Sequence, residues 1–344
     1  MNLTSNITNQ AEEEKLKYYA GIYHSFHNSY IWVLAALGVP GNIACLLTLT
    51  SMTMTTSIFY VTLLAGTDLL ALVLKIIFHQ LSNHSIPLYD VGCKLGSFVE
   101  VVSCYANWTL VLICFERFLA VCYPLKRNAY FTEARAVAIA AIIAIIIFLC
   151  YLYAIILYQF DPDKLCGFFN GPPGFTQYWI WTATILYSLL PFVLLAVLTV
   201  FIIHSLRKHF RSRHTLQATS GVEQSFSRAE FSICVMMVAA AVVFLFLTLP
   251  SCLFFVLSEA QVLGYDSTDL QIISVLMAEF STELADSNHA INFYIYFLTN
   301  GRFRARFKAL VQRGFKKVPE STVDYRSKIT ILQRSLEHLN TAKL

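Results

Sequence analysis

Seven apolar stretches, each about 20 residues or longer, recur along the chain and leave room for little but a bundle of membrane-crossing helices. They run Tyr30–Thr50, Ile58–His79, Phe98–Val121, Ala136–Tyr158, Trp179–Ile203, Phe231–Leu257 and Leu270–Leu298. Crossing roughly 30 Å of hydrocarbon takes about 20 residues at 1.5 Å each, so each stretch is long enough to span. In lipid the backbone must satisfy its own hydrogen bonds, so the spans are expected to be helical. Short connections between them predict one all-α seven-helix bundle over residues 30–298. A soluble domain is excluded by composition, since 57% of the 344 residues are hydrophobic and only 13% are charged.

Lysine and arginine set the orientation. Twenty of the 25 fall on one side, in the second and third inner loops and in the tail, leaving Lys15, Lys17, Lys75, Lys94 and Lys164. The positive-inside rule then puts residues 1–29 outside the cell and residues 313–344 in the cytoplasm, with the plasma membrane as the expected location. Met1 to His27 lacks an apolar core behind basic residues, so no cleaved signal peptide is expected and the first span acts as the anchor. The sequons at Asn2, Asn6 and Asn83 lie on the outer side and suit glycosylation, whereas the one at Asn107 lies within a span and should stay bare. Residues 299–312 place Phe303, Phe307 and Leu310 on one helical face and cations on the other, which predicts an amphipathic eighth helix on the membrane surface.

Most of the nine cysteines sit within spans, where free thiols behave as small apolar groups. Cys93 and Cys166 do not. Both lie on the oxidising side, and a bridge between them would tie the loop after the fourth span over the bundle mouth; two unpaired loop thiols are the alternative.

Polar residues inside the spans must face inward. Asp68, Asn42, Asn288 and Asn292 are of this kind, as are Glu116 and Arg117 at the inner end of the third span. Asp68 with Asn288 and Asn292 could bind a cation such as sodium in a hydrated pocket; a network of interhelical hydrogen bonds is the competing reading. No other cofactor and no metal are expected.

These residues, in this order, resemble the rhodopsin-like (class A) G-protein-coupled receptors. The matching pieces are Gly41-Asn42, Leu64-Ala65-x-x-Asp68, Cys93, Glu116-Arg117-Phe118, Pro191, Pro250 and Asn292-Phe293-Tyr294-Ile295-Tyr296. The resemblance implies that Arg117 pairs with Glu116 at rest and swings to engage a heterotrimeric G protein. It implies an ionic lock from Arg117 to Glu230, a G-protein contact at Leu125, switch roles for Asn292 and Tyr296, and arrestin and a receptor kinase as further partners. Several positions depart from the pattern. Thr248 stands for a tryptophan, Phe293 for a proline, Thr199 for a tyrosine and Ala106 for a serine of the sodium shell, and the fourth span lacks its tryptophan.

Glu279, Glu283 and Asp286 recur at offsets of four and three, so they share a face on the outer half of the last span. With Glu100, and with aromatic neighbours such as Trp179, they suggest a site for a cationic ligand. Lys75 is placed in the same site, although Lys75 and Lys94 could also neutralise the acids in structural pairs. An opsin's lysine is missing from the last span, where Asp286 stands instead, and Val99 occupies the place of the amine receptors' aspartate. Glu-Arg-Phe, the missing tryptophan and Asn-Phe-x-x-Tyr resemble the invertebrate neuropeptide branch, including FMRFamide-type receptors, which implies an extracellular amidated peptide. An amine or other small molecule is the alternative ligand, and a proton-coupled transporter the rival class. No nucleophile–base pair or phosphate loop suggests an enzyme, and nothing suggests nucleic acid.

Overall fold

The computed structural model describes residues 2–84, 89–123, 132–161, 165–168, 171–216, 228–259 and 268–312. Leu125 and the side chains of Asn2, Asn6 and Glu230 lie outside the described residues. The helices are α1 (Asn2–Thr50), α2 (Thr56–Asn83), α3 (Tyr89–Cys122), α4 (Glu133–Leu157), α5 (Phe175–Thr184), α6 (Leu190–Leu216), α7 (Arg228–Glu259), α8 (Thr268–Asp286), α9 (Asn288–Thr299) and α10 (Gly301–Gln312). Two short strands, β1 (Gln159–Asp161) and β2 (Leu165–Gly167), pair antiparallel after α4.

Among the described residues six helical segments are long and apolar enough to cross a membrane. The seventh expected span is present as α8 and α9, which meet at Ser287. Its outer half carries too many acids to read as an apolar helix, so its membrane character comes from burial against neighbours. Phe293 cannot bend the helix as proline would, and the interruption falls six residues earlier, at Ser287, whose carbonyl accepts from Ala290 N in a tightened turn.

Local sequence explains several boundaries. Thr55 accepts from Ile58 N and Thr132 from Arg135 N, so each caps the helix that follows. Asn300 Oδ1 accepts from the backbone N–H groups of Arg302 and Phe303 and starts α10. Helices α5 and α6 are joined by a π turn, Ile185–Leu189, directly before Pro191. The carbonyls that this turn frees are taken by α3: Asn107 Nδ2 donates to Tyr187 O at 3.0 Å and Trp108 Nε1 to Leu186 O at 2.9 Å. Asn107 is therefore an internal tie, and the sequon around it is buried.

Helix α1 is one rod of 49 residues, about 73 Å long, so it projects well beyond the bilayer core. Where it enters the bundle, Gly38 lets it touch two neighbours at once; a Cβ there would meet Leu72 Cδ1 at 2.4 Å and Ala290 Cβ at 2.9 Å. The largest buried cluster fills the inner half, with Tyr60, Leu110, Leu195, Phe244, Tyr296 and Phe303 among its members. Ile145, Ile146 and Leu149 of α4 are exposed, as lipid-facing side chains should be.

Arg306 corrects the simple picture of α10. Phe303 and Leu310 are buried as their spacing predicts, but Arg306 is buried with them and donates to Ser51 Oγ at 2.9 Å and to Ser51 O. One cation of the polar face thus clamps α10 to the end of α1.

Candidate functional site

The outer mouth is roofed by the β1–β2 hairpin. Cys166, opposite Phe160 in the ladder, is bonded to Cys93 near the start of α3. Asp90 Oδ1 accepts from Phe160 N at 2.7 Å, so two groups one turn apart on α3 hold the hairpin in place. Lys94 donates to Ile155 O at 3.1 Å and closes the carboxyl end of α4. Among the described residues it makes no ion pair with the acids on α8.

Those acids have separate partners. Tyr23 OH donates to Glu279 Oε2 at 2.9 Å, His27 Nδ1 meets Glu283 Oε1, and Tyr30 OH donates to Glu283 O at 2.9 Å; all three partners lie on α1. Lys15 extends the seam through Asp269 at 3.1 Å, and Phe26 packs on Phe280. Glu279 and Glu283 therefore join α8 to the outer part of α1. Asp286 turns to other elements, pairing with Lys75 of α2 at 2.5 Å and accepting from Tyr187 OH at 3.0 Å.

Glu100 differs from all of these. Its carboxylate makes no hydrogen bond or ion pair among the described residues, and the side chain is exposed. It nonetheless lies within electrostatic reach of Lys75 and Asp286, and of Tyr151 and Tyr158 on the α4 side. An exposed group with neighbours on several helices faces the open mouth rather than lipid. Beside it Tyr151 meets Trp179 edge to face at 5.0 Å, and Trp179 meets Phe168 at 6.3 Å, giving an aromatic wall.

Below the mouth Asp68 is fully buried. His289 Nδ1 lies 2.8 Å from Oδ1, Asn292 Nδ2 donates to Oδ2 at 2.8 Å, and Asn42 Nδ2 donates to His289 O at 2.8 Å. Among the described residues Asn288 Oδ1 and Asn292 Oδ1 on α9 and Ser103 Oγ on α3 are buried without a hydrogen-bond partner.

At the inner rim Arg117 Nε donates to Glu116 Oε2, and Nη2 donates to Ser57 Oγ. Ser57 Oγ in turn donates to Glu116 Oε1 at 3.2 Å, and Thr56 Oγ1 reaches the same oxygen at 3.4 Å. Arg117 also touches Cys234 of α7. Tyr296 is buried close by, its ring against Phe303.

A bundle with a bridged outer hairpin, a buried aspartate and a Glu-Arg pair at its inner rim has a recognisable identity. Residues 41–296 match the family of seven-transmembrane receptors described as the rhodopsin family. The chain belongs to that family. It is 25% identical to an FMRFamide receptor of Drosophila melanogaster over 87% of its own length and 56% of the relative's. It is 24% identical to a purinoceptor of Xenopus laevis over 69% and 44% of the two chains, and 26% identical to neuropeptide FF receptor 2 of Mus musculus over 89% and 77%. The chain spans about half the length of the first two of these relatives.

In this receptor the structure brings together Glu100, Lys75, Asp286 and the Trp179 wall, while Glu279 and Glu283 bond to α1. It joins Asp68 to Asn292 as the sequence suggested. Nitrogen atoms face both carboxylate oxygens of Asp68 and Ala106 adds no oxygen, while Asn288 Oδ1, Asn292 Oδ1 and Ser103 Oγ are oxygen atoms of the kind a hard cation takes. Asn83, read as a glycan acceptor, donates to Asn28 Oδ1 at 3.2 Å and meets His79 Nε2 at 2.8 Å. Three residues of the site were missed: His289, Tyr187 and Ser57. A histidine one position after Asn288 in an apolar run was a visible signal for the first; a lone tyrosine and a serine carry none.

Proposed function

We propose that this rhodopsin-family receptor sits in the plasma membrane with its amino terminus outside, binds a cationic amidated neuropeptide, and signals through a heterotrimeric G protein. The observation that carries the ligand class is Glu100. It is an acid in the mouth with no partner among the described residues, beside a Lys75–Asp286 pair that is already neutral in sum. The mouth therefore offers an acid without a direct bond partner among the described residues next to an aromatic wall, which suits a guanidinium or ammonium beside a ring. Two relatives are named as receptors for FMRFamide and for neuropeptide FF, and the Arg-Phe-amide ending of such peptides supplies a cation and a phenyl ring together. A purine ligand, suggested by the purinoceptor's name, would bring phosphate or a neutral ring to an acidic mouth and is disfavoured.

The test is a panel of Arg-Phe-amide peptides, amines and nucleotides applied to membranes bearing the full chain and a supplied G protein, with nucleotide exchange as readout. Exchange driven by the amidated peptides and weakened about 30-fold or more by Glu100→Gln supports the reading. A response to nucleotides alone, or solute flux without exchange, removes it.

A further inference from the structure

We infer that Ser57, at the start of α2, is the resting-state anchor that holds Arg117 across the inner mouth of the bundle. A hydroxyl has one proton to give and lone pairs to receive. Ser57 uses both: it accepts from Arg117 Nη2 and donates to Glu116, with its longer contact to Oε2 at 3.4 Å. The three side chains close a ring in which Glu116 also receives Arg117 Nε. Ser57, Glu116 and Arg117 are 6%, 1% and 3% exposed, so water does not compete for these bonds. Hydrogen bonds that involve a charged partner in a dry site are among the stronger ones a protein makes.

The position of the ring gives it leverage. Glu116 and Arg117 are neighbours on α3, and a pair within one helix cannot by itself fix where the guanidinium points relative to other helices. Ser57 supplies that reference from α2. The other side of the guanidinium rests on Cys234 of α7, whose thiol is fully buried. Arg117 thus runs from α2 to α7 and covers the gap between them. Loss of the Ser57 contact frees the guanidinium to swing and uncovers Cys234. Thr56 reaches Glu116 at 3.4 Å and is a weaker support for the same acid. Ser57 acts through Arg117 and is a positioning residue.

Cys234 provides a readout that needs neither an identified ligand nor a G protein. The purified full chain in lipid nanodiscs is treated with N-ethylmaleimide, and modification of each cysteine is followed by peptide mass spectrometry. Ser57→Ala is expected to raise the rate at Cys234 by about tenfold, the shift that one hydrogen bond to a charged group supports. Cys45, equally buried but on α1, reports global loosening and is expected to stay unmodified. Ser57→Thr keeps the hydroxyl and is expected to keep the resting rate. Cys234 labelling that does not change in Ser57→Ala overturns the inference. So does a rise at Cys234 and Cys45 together, or a Ser57→Thr variant that behaves like the alanine.

Discussion

His289 Nδ1 lies 2.8 Å from Asp68 Oδ1 at the centre of the bundle, with both side chains withdrawn from solvent. A buried carboxylate stripped of its partner is costly, so His289→Ala is expected to destabilise the receptor by about 3–5 kcal/mol. The midpoint of thermal unfolding in detergent reads this directly, and His289→Asn, which keeps a donor, should recover part of the loss. Exchanging sodium chloride for choline chloride at constant ionic strength separates the two readings of this site: a midpoint that follows sodium supports a cation held by these oxygens, and a midpoint that stays supports the hydrogen-bond network alone.

Lys75 and Asp286 form the other deeply placed pair. Removing one charge leaves the second uncompensated, so Lys75→Ala and Asp286→Asn should each lose about 3–5 kcal/mol, while the double variant should lose less than the sum. A double-mutant cycle on unfolding midpoints measures the coupling. Additive losses would show that the two side chains do not depend on one another.

Closing the hairpin onto α3 constrains the unfolded chain over a separation of 73 residues. Cys93→Ser or Cys166→Ser is expected to cost about 2–4 kcal/mol and to free the hairpin that roofs the mouth. Surface expression and protease sensitivity near β1 are the checks; an unchanged proteolysis pattern would argue that Asp90 alone holds the hairpin.

Along the α1–α8 seam, Tyr23→Phe and His27→Gln remove partners of Glu279 and Glu283. Faster amide hydrogen exchange is expected in the outer turns of α1, where the helix has left the bilayer and depends on this seam. Peptide potency should change little, because both acids are engaged by α1. A large loss of potency with no change in exchange would return both acids to the ligand.

The spans were legible because lipid permits so few backbone solutions; six of them follow from hydropathy, whereas the last, with its acidic outer half, does not read as apolar throughout. The outward reach of α1 was not, since its first turns are polar and owe their place to acids more than 250 residues away, as Tyr23 and Glu279 illustrate. Spacing placed Glu279, Glu283 and Asp286 on one helical face, but it could not say that α1 lies opposite the first two and Lys75 opposite the third. Lys94 looked like a counter-ion for these acids and instead caps α4, because a flexible ammonium takes whichever carbonyls end beside it. Arg306 fits an amphipathic pattern as a surface cation, yet its long stem lets it reach Ser51 from a buried position.

A charge exchange at Glu100 tests the ligand's place most directly. Exchange of nucleotide on the G protein is measured for the wild type and for Glu100→Arg, each with an Arg-Phe-amide peptide and with the same peptide carrying Glu for Arg. The wild type should respond to the arginine peptide, Glu100→Arg should lose that response, and the glutamate peptide should restore activity in the variant alone. An arginine peptide equally potent on both receptors would contradict the assignment.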